Sequence, residues 1–286
     1  MANMDKDRIL KFKKMHGLGN DFIVLDGRET TVDLVAEEVR LLADRRTGIG
    51  CDQLITLQKS NKADAFLHIQ NSDGSLAESC GNATRCVASY IMDKNGTSSA
   101  EIDSMGGLLH CKKSEGGVSA DMGEPHFGWS DIPLSEDRDT LNLGLTVGAL
   151  KNPVAVNVGN PHVVFFVENA EEIDVASLGP VIEKYPLFPE RVNVNVAQIL
   201  NDNTIRLRVW ERGAGITRAC GTGACATLVA ANKRGLTKKM ATIILDGGSL
   251  KVEWTEGNRM IMTGDAALSF EGEVNLEAII NKASSK

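Results

Sequence analysis

No uninterrupted apolar run in the 286 residues approaches the roughly 20 needed to cross a bilayer as a helix. The opening stretch, Met-Ala-Asn-Met-Asp-Lys-Asp-Arg, carries charges where a secretory signal would have an apolar centre. A cytoplasmic location without a membrane partner is therefore expected. A basic excess is missing as well. The formal charge is -7 and the isoelectric point near 5.4, and the Lys and Arg residues are scattered rather than striped. That argues against a nucleic-acid partner, which needs a cationic surface to neutralise phosphates. The six cysteines, Cys51, Cys80, Cys86, Cys111, Cys220 and Cys225, include no Cys-x-x-Cys pair and are too sparse for a disulfide scaffold. They are read as thiols, with no metal site among them. The glycine motifs Gly17-Leu-Gly19 and Gly48-Ile-Gly50 lack the spacing and context of a dinucleotide fingerprint.

What the chain does have is itself, written twice. With 42% hydrophobic and 24% charged residues, a chain of this length can bury two ordinary cores, and self-similarity at a fixed offset shows how. Cys80-Gly-Asn recurs as Cys220-Gly-Thr and Gly19-Asn20 as Gly159-Asn160, both at an offset of 140, the second pair before the strand-like Phe22-Ile-Val and Val163-Val-Phe. Gln53 falls opposite Asn193 and Asn71 opposite Glu211 at the same offset. Further along, Met105-Gly-Gly matches Asp246-Gly-Gly and Met122-Gly matches Thr263-Gly at 141, a single one-residue slip.

Alternating stretches such as Ala65-Phe-Leu-His-Ile69 and Ile205-Arg-Leu-Arg-Val209 predict half-buried strands. After Cys80, apolar or small residues at 83, 86, 87, 90 and 91 mark one helical face, and 224–231 is apolar almost all round, as in a buried central helix. The expected fold class is α+β: two pseudo-symmetric halves, each a mostly antiparallel sheet wrapped around a central helix, with the active site in the cleft between them. The expected division is 1–124 completed by 267–286, then a linker over 125–148 rich in Pro, Gly, Ser and Asp, then 149–266.

The repeat-related Cys-Gly positions place Cys80 and Cys220 each at the mouth of a helix. There, unpaired N–H groups and the positive end of the dipole are expected to lower a thiol's pKa toward neutrality, and the same N–H groups can bind a carboxylate. Inverting a carbon that bears a hydrogen needs a base on one face and an acid on the other, and two thiols suffice. The competing account of any free cysteine is a small buried hydrophobe, which is adopted for Cys51, Cys86, Cys111 and Cys225.

These segments resemble the diaminopimelate epimerases, nearly end to end. The residues that carry the likeness are His16-Gly-Leu-Gly-Asn-Asp-Phe22, Gly48-Ile-Gly-Cys-Asp-Gln53, Asn71-Ser-Asp-Gly followed by Cys80-Gly-Asn-Ala-Thr-Arg-Cys86, Gly159-Asn-Pro-His162, Phe188-Pro-Glu-Arg-Val-Asn-Val194, and Glu211-Arg-Gly-Ala-Gly followed by Ala219-Cys-Gly-Thr-Gly-Ala-Cys225. The resemblance implies an isomerase that interconverts L,L- and meso-diaminopimelate without a cofactor, on the route to lysine and peptidoglycan precursors, and a homodimer.

It implies Cys80 and Cys220 as the catalytic pair and His162 and Glu211 as groups that tune them. Asn20, Gln53, Asn71, Gly81, Asn82, Asn160, Asn193, Glu211, Arg212, Gly221 and Thr222 would meet substrate. The chain departs from the usual family pattern at Ser72, Ala83 and Asn195, where Ala, Gly and Glu are more frequent. Arg212 suits a second, distal carboxylate, since a guanidinium binds carboxylates in bidentate fashion.

Two other accounts remain open on the residues alone. One is a racemase or epimerase for another amino acid such as proline, although that family typically has a His where this chain has Asn82. The other is a redox or binding protein in which Cys80 and Cys220 form a reversible disulfide. Pyridoxal phosphate leaves no local sequence signature, and the case against it rests on the cysteine pair.

Overall fold

The computed structural model describes residues 8–77 and 80–284; the opening segment Met1–Asp7, read above for a signal core, lies outside the described residues. Contacts divide the chain into two compact units, Met1–Val118 with Asp265–Lys286, and Ser119–Gly264.

The first unit contains β1 (Ile9–Gly17), β2 (Asn20–Asp26), α1 (Ala36–Ala43), β3 (Gln53–Gln58), β4 (Ala65–Asn71), β5 (Leu76–Ala77), α2 (Gly81–Asn95), β6 (Ser99–Ser104) and β7 (Leu109–Ser114). The boundary falls within β8 (Gly117–Asp121). The second unit contains β9 (Thr146–Val147), β10 (Leu150–Lys151), β11 (Val154–Asn157), β12 (Pro161–Val167), α3 (Val175–Glu183), β13 (Asn193–Asn201), β14 (Thr204–Glu211), β15 (Gly215–Thr217), α4 (Gly221–Lys233), β16 (Met240–Leu245), β17 (Gly248–Trp254) and β18 (Met260–Gly264). The chain then returns to the first unit with β19 (Ala267–Asn275) and α5 (Leu276–Ser284).

The sequence offset reappears as strand register. Phe22 pairs with Gln53 across parallel β2 and β3, and His162 with Asn193 across parallel β12 and β13, each partner raised by 140. Leu54 opposes Gln70 in antiparallel β3 and β4, as Val194 opposes Trp210 in β13 and β14. Ala65 pairs with Ile102 and Ile205 with Ile243, so the shift to 141 is made between β4 and β6 on one side and β14 and β16 on the other. Each unit is thus a mixed sheet, antiparallel in most pairs, with two parallel steps.

Alternation in sequence becomes alternation in burial, because successive strand side chains point to opposite faces: Ala65, Leu67 and Ile69 are buried in β4, and Ile205, Leu207 and Val209 in β14. The two central helices are enclosed. On α2 the buried residues run from Asn82 to Ala88 and include Ile91 and Met92. Every residue from Gly223 to Ala231 of α4 is buried, and that helix packs against β11, β12, β13, β14, β16, β17 and β18. Fully burying a Val, Leu or Ile side chain contributes about 1.5–3 kcal/mol, so these apolar helices need the sheet around them. In the first unit a second layer forms where α1 packs on α5, with Phe12, Ile23, Leu42, Leu54 and Leu276 in one cluster and Ile279 and Ile280 against it.

Residues 125–148 are not a linker. Ile132, Leu134, Leu143 and Leu145 are at most 5% exposed and share a core with Phe165, Val194 and Val196. Thr140 Oγ1 donates to Phe127 O, and the Arg234 guanidinium donates to Leu141 O. Turn-forming composition marks where the chain bends, and a bending segment with apolar residues at intervals covers a core as readily as it crosses a gap. Among the described residues no helix is long and apolar enough to cross a membrane.

Candidate functional site

In the first unit, Cys80 is the N-cap of α2, with extended backbone (φ −152, ψ 107) and its carbonyl accepting from Thr84 N–H at 2.9 Å. Its side chain is half-buried, with Sγ 3.8 Å from Asn20 Oδ1. Asn20 follows a turn through Leu18 and Gly19, both left-handed, at the start of β2. Its Nδ2 donates to Asp52 Oδ2 at 3.0 Å. Asp52 N–H donates in turn to Asp21 Oδ1, and Asp21 is gripped by Arg45 and Lys14. Burial raises the Asp21 pKa, but the Arg45 and Lys14 hydrogen bonds and charges outweigh it and hold the carboxyl well below the usual range. Gln53 Nε2 donates to Asn71 Oδ1 at 2.9 Å, and Asn71 Nδ2 to Ser75 Oγ at 3.0 Å.

In the second unit, Cys220 is the N-cap of α4, with φ −129 and ψ 109. Its Sγ accepts from Gly223 N–H at 3.3 Å and lies 3.5 Å from Thr222 Oγ1. Residue 223 must be glycine for that contact: a Cβ there would stand 2.6 Å from Asn195 Oδ1 and 3.2 Å from the sulfur. Cys220 is only 4% exposed, and its pKa moves opposite to the expected direction. Burial pushes it well above the ordinary thiol value, Glu211 adds to the rise, and the hydrogen bonds from Thr222 and Gly223 only moderate it. Desolvation of a thiolate outweighs a helix end.

Glu211 sits on the same hydrogen bond. Burial raises its pKa, while hydrogen bonds from Thr217 and Cys220 oppose the rise. Two adjacent groups that both resist ionisation titrate as a pair, and the hydrogen bond from the Cys220 thiol favours the charged form of Glu211.

His162, expected to tune the cysteines from behind the groups that touch them, bonds to two asparagines. It is fully buried in β12, with Nε2 2.8 Å from Asn160 Oδ1 and Nδ1 3.0 Å from Asn195 Nδ2. Asn195 Nδ2 also donates to Val163 O at 3.0 Å, which orients that amide. Nδ1 is therefore the acceptor, and Nε2–H donates to Asn160. Burial and the nearby Arg212 charge lower the His162 pKa to about 3.

Because the unfolded imidazole titrates near 6.5, acidification from there toward 3 protonates the unfolded state first. Stability should fall with pH over that window, by up to about 1.4 kcal/mol per unit from this group. Urea denaturation of His162→Gln between pH 7 and 4.5 should show a shallower fall than the wild-type protein; equal slopes would show that the ring is not neutral in the fold.

The other expected residues divide by unit. Asn82 is 3% exposed, its Nδ2 donating to Asn20 Oδ1 and its Oδ1 accepting from Arg85, so only its backbone is free of side-chain work. Asn193, also 3% exposed, donates to Pro161 O and accepts from Arg212 N–H. Gly81 and Gly221 open the two helices behind the cysteines. Arg212 is exposed, with one guanidinium N–H on Glu190 O.

Glu183 was missed from sequence: it is buried in α3, accepts from Trp210 Nε1 at 2.7 Å and from Gly213 N–H at 3.2 Å, and so braces the turn that carries Arg212. No local signal marks it. Asp21 and Asp52 were also missed, although each lies inside a motif already singled out.

Cys51, Cys86 and Cys111 are at most 2% exposed, and burial pushes each thiol up to about 12; Cys225 is fully buried. A thiol-directed alkylating reagent added to the native, reduced protein should accordingly modify Cys80 first. A first adduct located by mass spectrometry on any of the other five cysteines would contradict this arrangement. Among the described residues no group of three or more His, Cys, Asp or Glu is arranged to hold a metal ion.

A family model described as diaminopimelate epimerase matches residues 12–128 and 154–269. The chain is 50% identical over 270 residues to a diaminopimelate epimerase of Rhodospirillum centenum, covering 93% of each chain. It is 51% identical over 264 residues to one of Erythrobacter litoralis, covering 92% of this chain and 96% of that one. Among solved structures it is similar to a Bacillus anthracis phenazine biosynthesis protein of the PhzF family (TM-score 0.64, 16% identity, 93% of this chain and 99% of that one). It is also similar to a hydroxyproline epimerase of Agrobacterium vitis (TM-score 0.64, 18% identity, 96% and 94%). At those identities the likeness is one of fold.

Proposed function

Because the chain belongs to the diaminopimelate epimerase family, we propose that it interconverts L,L- and meso-diaminopimelate by a two-base reaction at Cys80 and Cys220. The observation that carries the reading is the equivalence of the two sulfurs: each caps the central helix of its unit, at positions the internal repeat relates.

Helix N-termini offer N–H groups to the substrate α-carboxylate, and charge that spreads into that carboxylate as the α-hydrogen leaves is stabilised by the same donors. One sulfur, as thiolate, takes the α-proton, so that a C–H bond breaks and an S–H bond forms. The other, as thiol, gives its proton to the opposite face of the carbon. The two sulfurs have then exchanged states, and the reverse reaction begins from the state in which the forward one ended.

For Cys220 the Glu211 carboxylate is the local proton acceptor, while its charge adds to the burial that disfavours the thiolate and the Thr222 and Gly223 hydrogen bonds oppose both. Asn20 and Asn160 hold fixed amide orientations for substrate polar groups, and the exposed Arg212 guanidinium suits the distal carboxylate that distinguishes diaminopimelate from simpler amino acids. The reaction uses no cofactor, and its place is in lysine and peptidoglycan precursor synthesis, in a cytoplasmic homodimer.

Purified, reduced protein incubated with L,L-diaminopimelate in deuterated water, without added cofactor, should produce the meso isomer carrying deuterium at the inverted carbon. No loss of the α-hydrogen signal would refute the reading and direct the search to another amino acid.

A further inference from the structure

Arg85 is the largest fully buried side chain among the described residues, 0% exposed, in the first turns of the helix that Cys80 caps. Sequence periodicity put it between two core positions, Ala83 and Cys86, and no role followed from that. Burying a guanidinium is costly unless its N–H groups are used, and the direction in which these are used is informative. Nη2 donates to Asn82 Oδ1 at 2.7 Å, Asn82 Nδ2 donates to Asn20 Oδ1 at 3.1 Å, and Asn20 Nδ2 donates to Asp52 Oδ2 at 3.0 Å.

The chain begins at a group that can only donate and ends at one that can only accept, so both amides are held in one orientation. The atom that faces Cys80 Sγ, 3.8 Å away, is consequently the Asn20 oxygen. Gly17 makes room for the arrangement: a Cβ on it would lie 3.3 Å from Arg85 Nη2 and 3.3 Å from Asn82 Cβ.

We propose that Arg85 is a positioning residue for Cys80: acting through Asn82, it keeps the Asn20 oxygen that faces the sulfur engaged and so weakens it as an acceptor for the Cys80 S–H, favouring the thiolate. Hydrogen bonds in a chain polarise one another. A donor-only cation on Asn82 makes its N–H a stronger donor to Asn20 Oδ1, and an oxygen so engaged is a weaker acceptor for S–H. Among the described residues, the charged groups around this helix end include Asp52 and Asp21 behind Asn20, Lys14 and Arg45 that neutralise them, and Asp265, whose charge reaches Cys86. Arg85 also acts on Cys86 and Cys111, where its charge opposes the rise caused by burial. The inference rests on the reading of Cys80 as one of the two bases.

The test compares wild type, Arg85→Lys, Arg85→Met, Asn82→Ala and the double variant Asn82→Ala/Arg85→Met by two readouts. The pH dependence of iodoacetamide labelling at Cys80 needs no turnover; kcat/KM for diaminopimelate against pH needs it. Arg85→Met should move the labelling midpoint upward by about half a unit or more and lower kcat/KM at neutral pH about 10-fold, a loss that raising the pH recovers. Arg85→Lys, which keeps a donor-only cation, should stay within about 3-fold.

In the Asn82→Ala background the Arg85→Met change should cost little more, since the link is already cut. Losses that multiply in the double variant, or a folded Arg85→Met protein with an unmoved midpoint, would overturn the proposal. If Arg85→Met does not fold, the partly exposed far end of the chain decides. Asp52→Asn replaces an acceptor-only anchor by one that can also donate and should shift the Cys80 labelling midpoint; no shift overturns the proposal. A wild-type protein that labels as described but does not epimerise diaminopimelate would refute the function reading and leave the Arg85 inference to the labelling data alone.

Discussion

Cys80→Ala and Cys220→Ala should each lower the interconversion of L,L- and meso-diaminopimelate by about 10³-fold or more while leaving the fold intact. Positioned general acids and bases contribute on the order of 10²–10⁴-fold, and losing either sulfur leaves one face of the carbon unserved. Because the equilibrium constant between the isomers is fixed, kcat/KM must fall equally in both directions. At most, each variant could catalyse wash-out of the α-hydrogen on the face its remaining sulfur serves, without inversion. A coupled chiral assay run with exchange in deuterated water separates the two events. Near-normal inversion by either variant would remove the two-base mechanism. Stability should change little in Cys80→Ala, whose side chain makes no cap bond, whereas Cys220→Ala loses the bond from Gly223 N–H to Sγ and should cost about 1 kcal/mol; thermal unfolding measures both directly.

Glu211→Gln should have the next largest effect, a loss of about 10²-fold in kcat/KM, within the range of a general-base contribution, with a change in pH profile whose sign follows from the geometry. Burial is the first cause of the raised pKa of Cys220 and the Glu211 charge the second. The neutral amide removes the second and leaves the first, so the Cys220 titration moves down while the acceptor for its proton disappears. The residual activity should show its cysteine limb at lower pH than wild type. Wild-type activity with an unmoved profile would mean that Cys220 loses its proton to some group other than Glu211, and the pairing described above would be wrong.

Both predictions depend on features that differ in how far they could be read from the sequence. The offset between Cys80 and Cys220, and between Asn20 and Asn160, carried through to strand registers that differ by the same number of residues. Local pattern was enough there, because a strand's period and a helix's cap are properties of consecutive residues. The buried state of Cys86 and Cys225 followed from the same periodicity, and that of Cys51 and Cys111 from the usual fate of a free cysteine. The segment 125–148 did not: its Pro and Gly content described its bends, while the packing of Ile132 and Leu143 against Phe165 depends on residues far along the chain.

What the sequence determined by itself was the duplication, the helix-capping cysteines and the family. These are encoded in spacing and residue type, which survive without coordinates. What only the tertiary structure decided was the direction of things: that the Cys220 pKa rises rather than falls, that His162 is a neutral donor to Asn160, and that Asn20 turns its oxygen toward Cys80. Burial and hydrogen-bond polarity are set by groups brought together from distant strands, Asn195 against His162 and Arg85 against Asn82 and Asn20. The energy of an ionisable group is governed by those neighbours more than by its place in the chain.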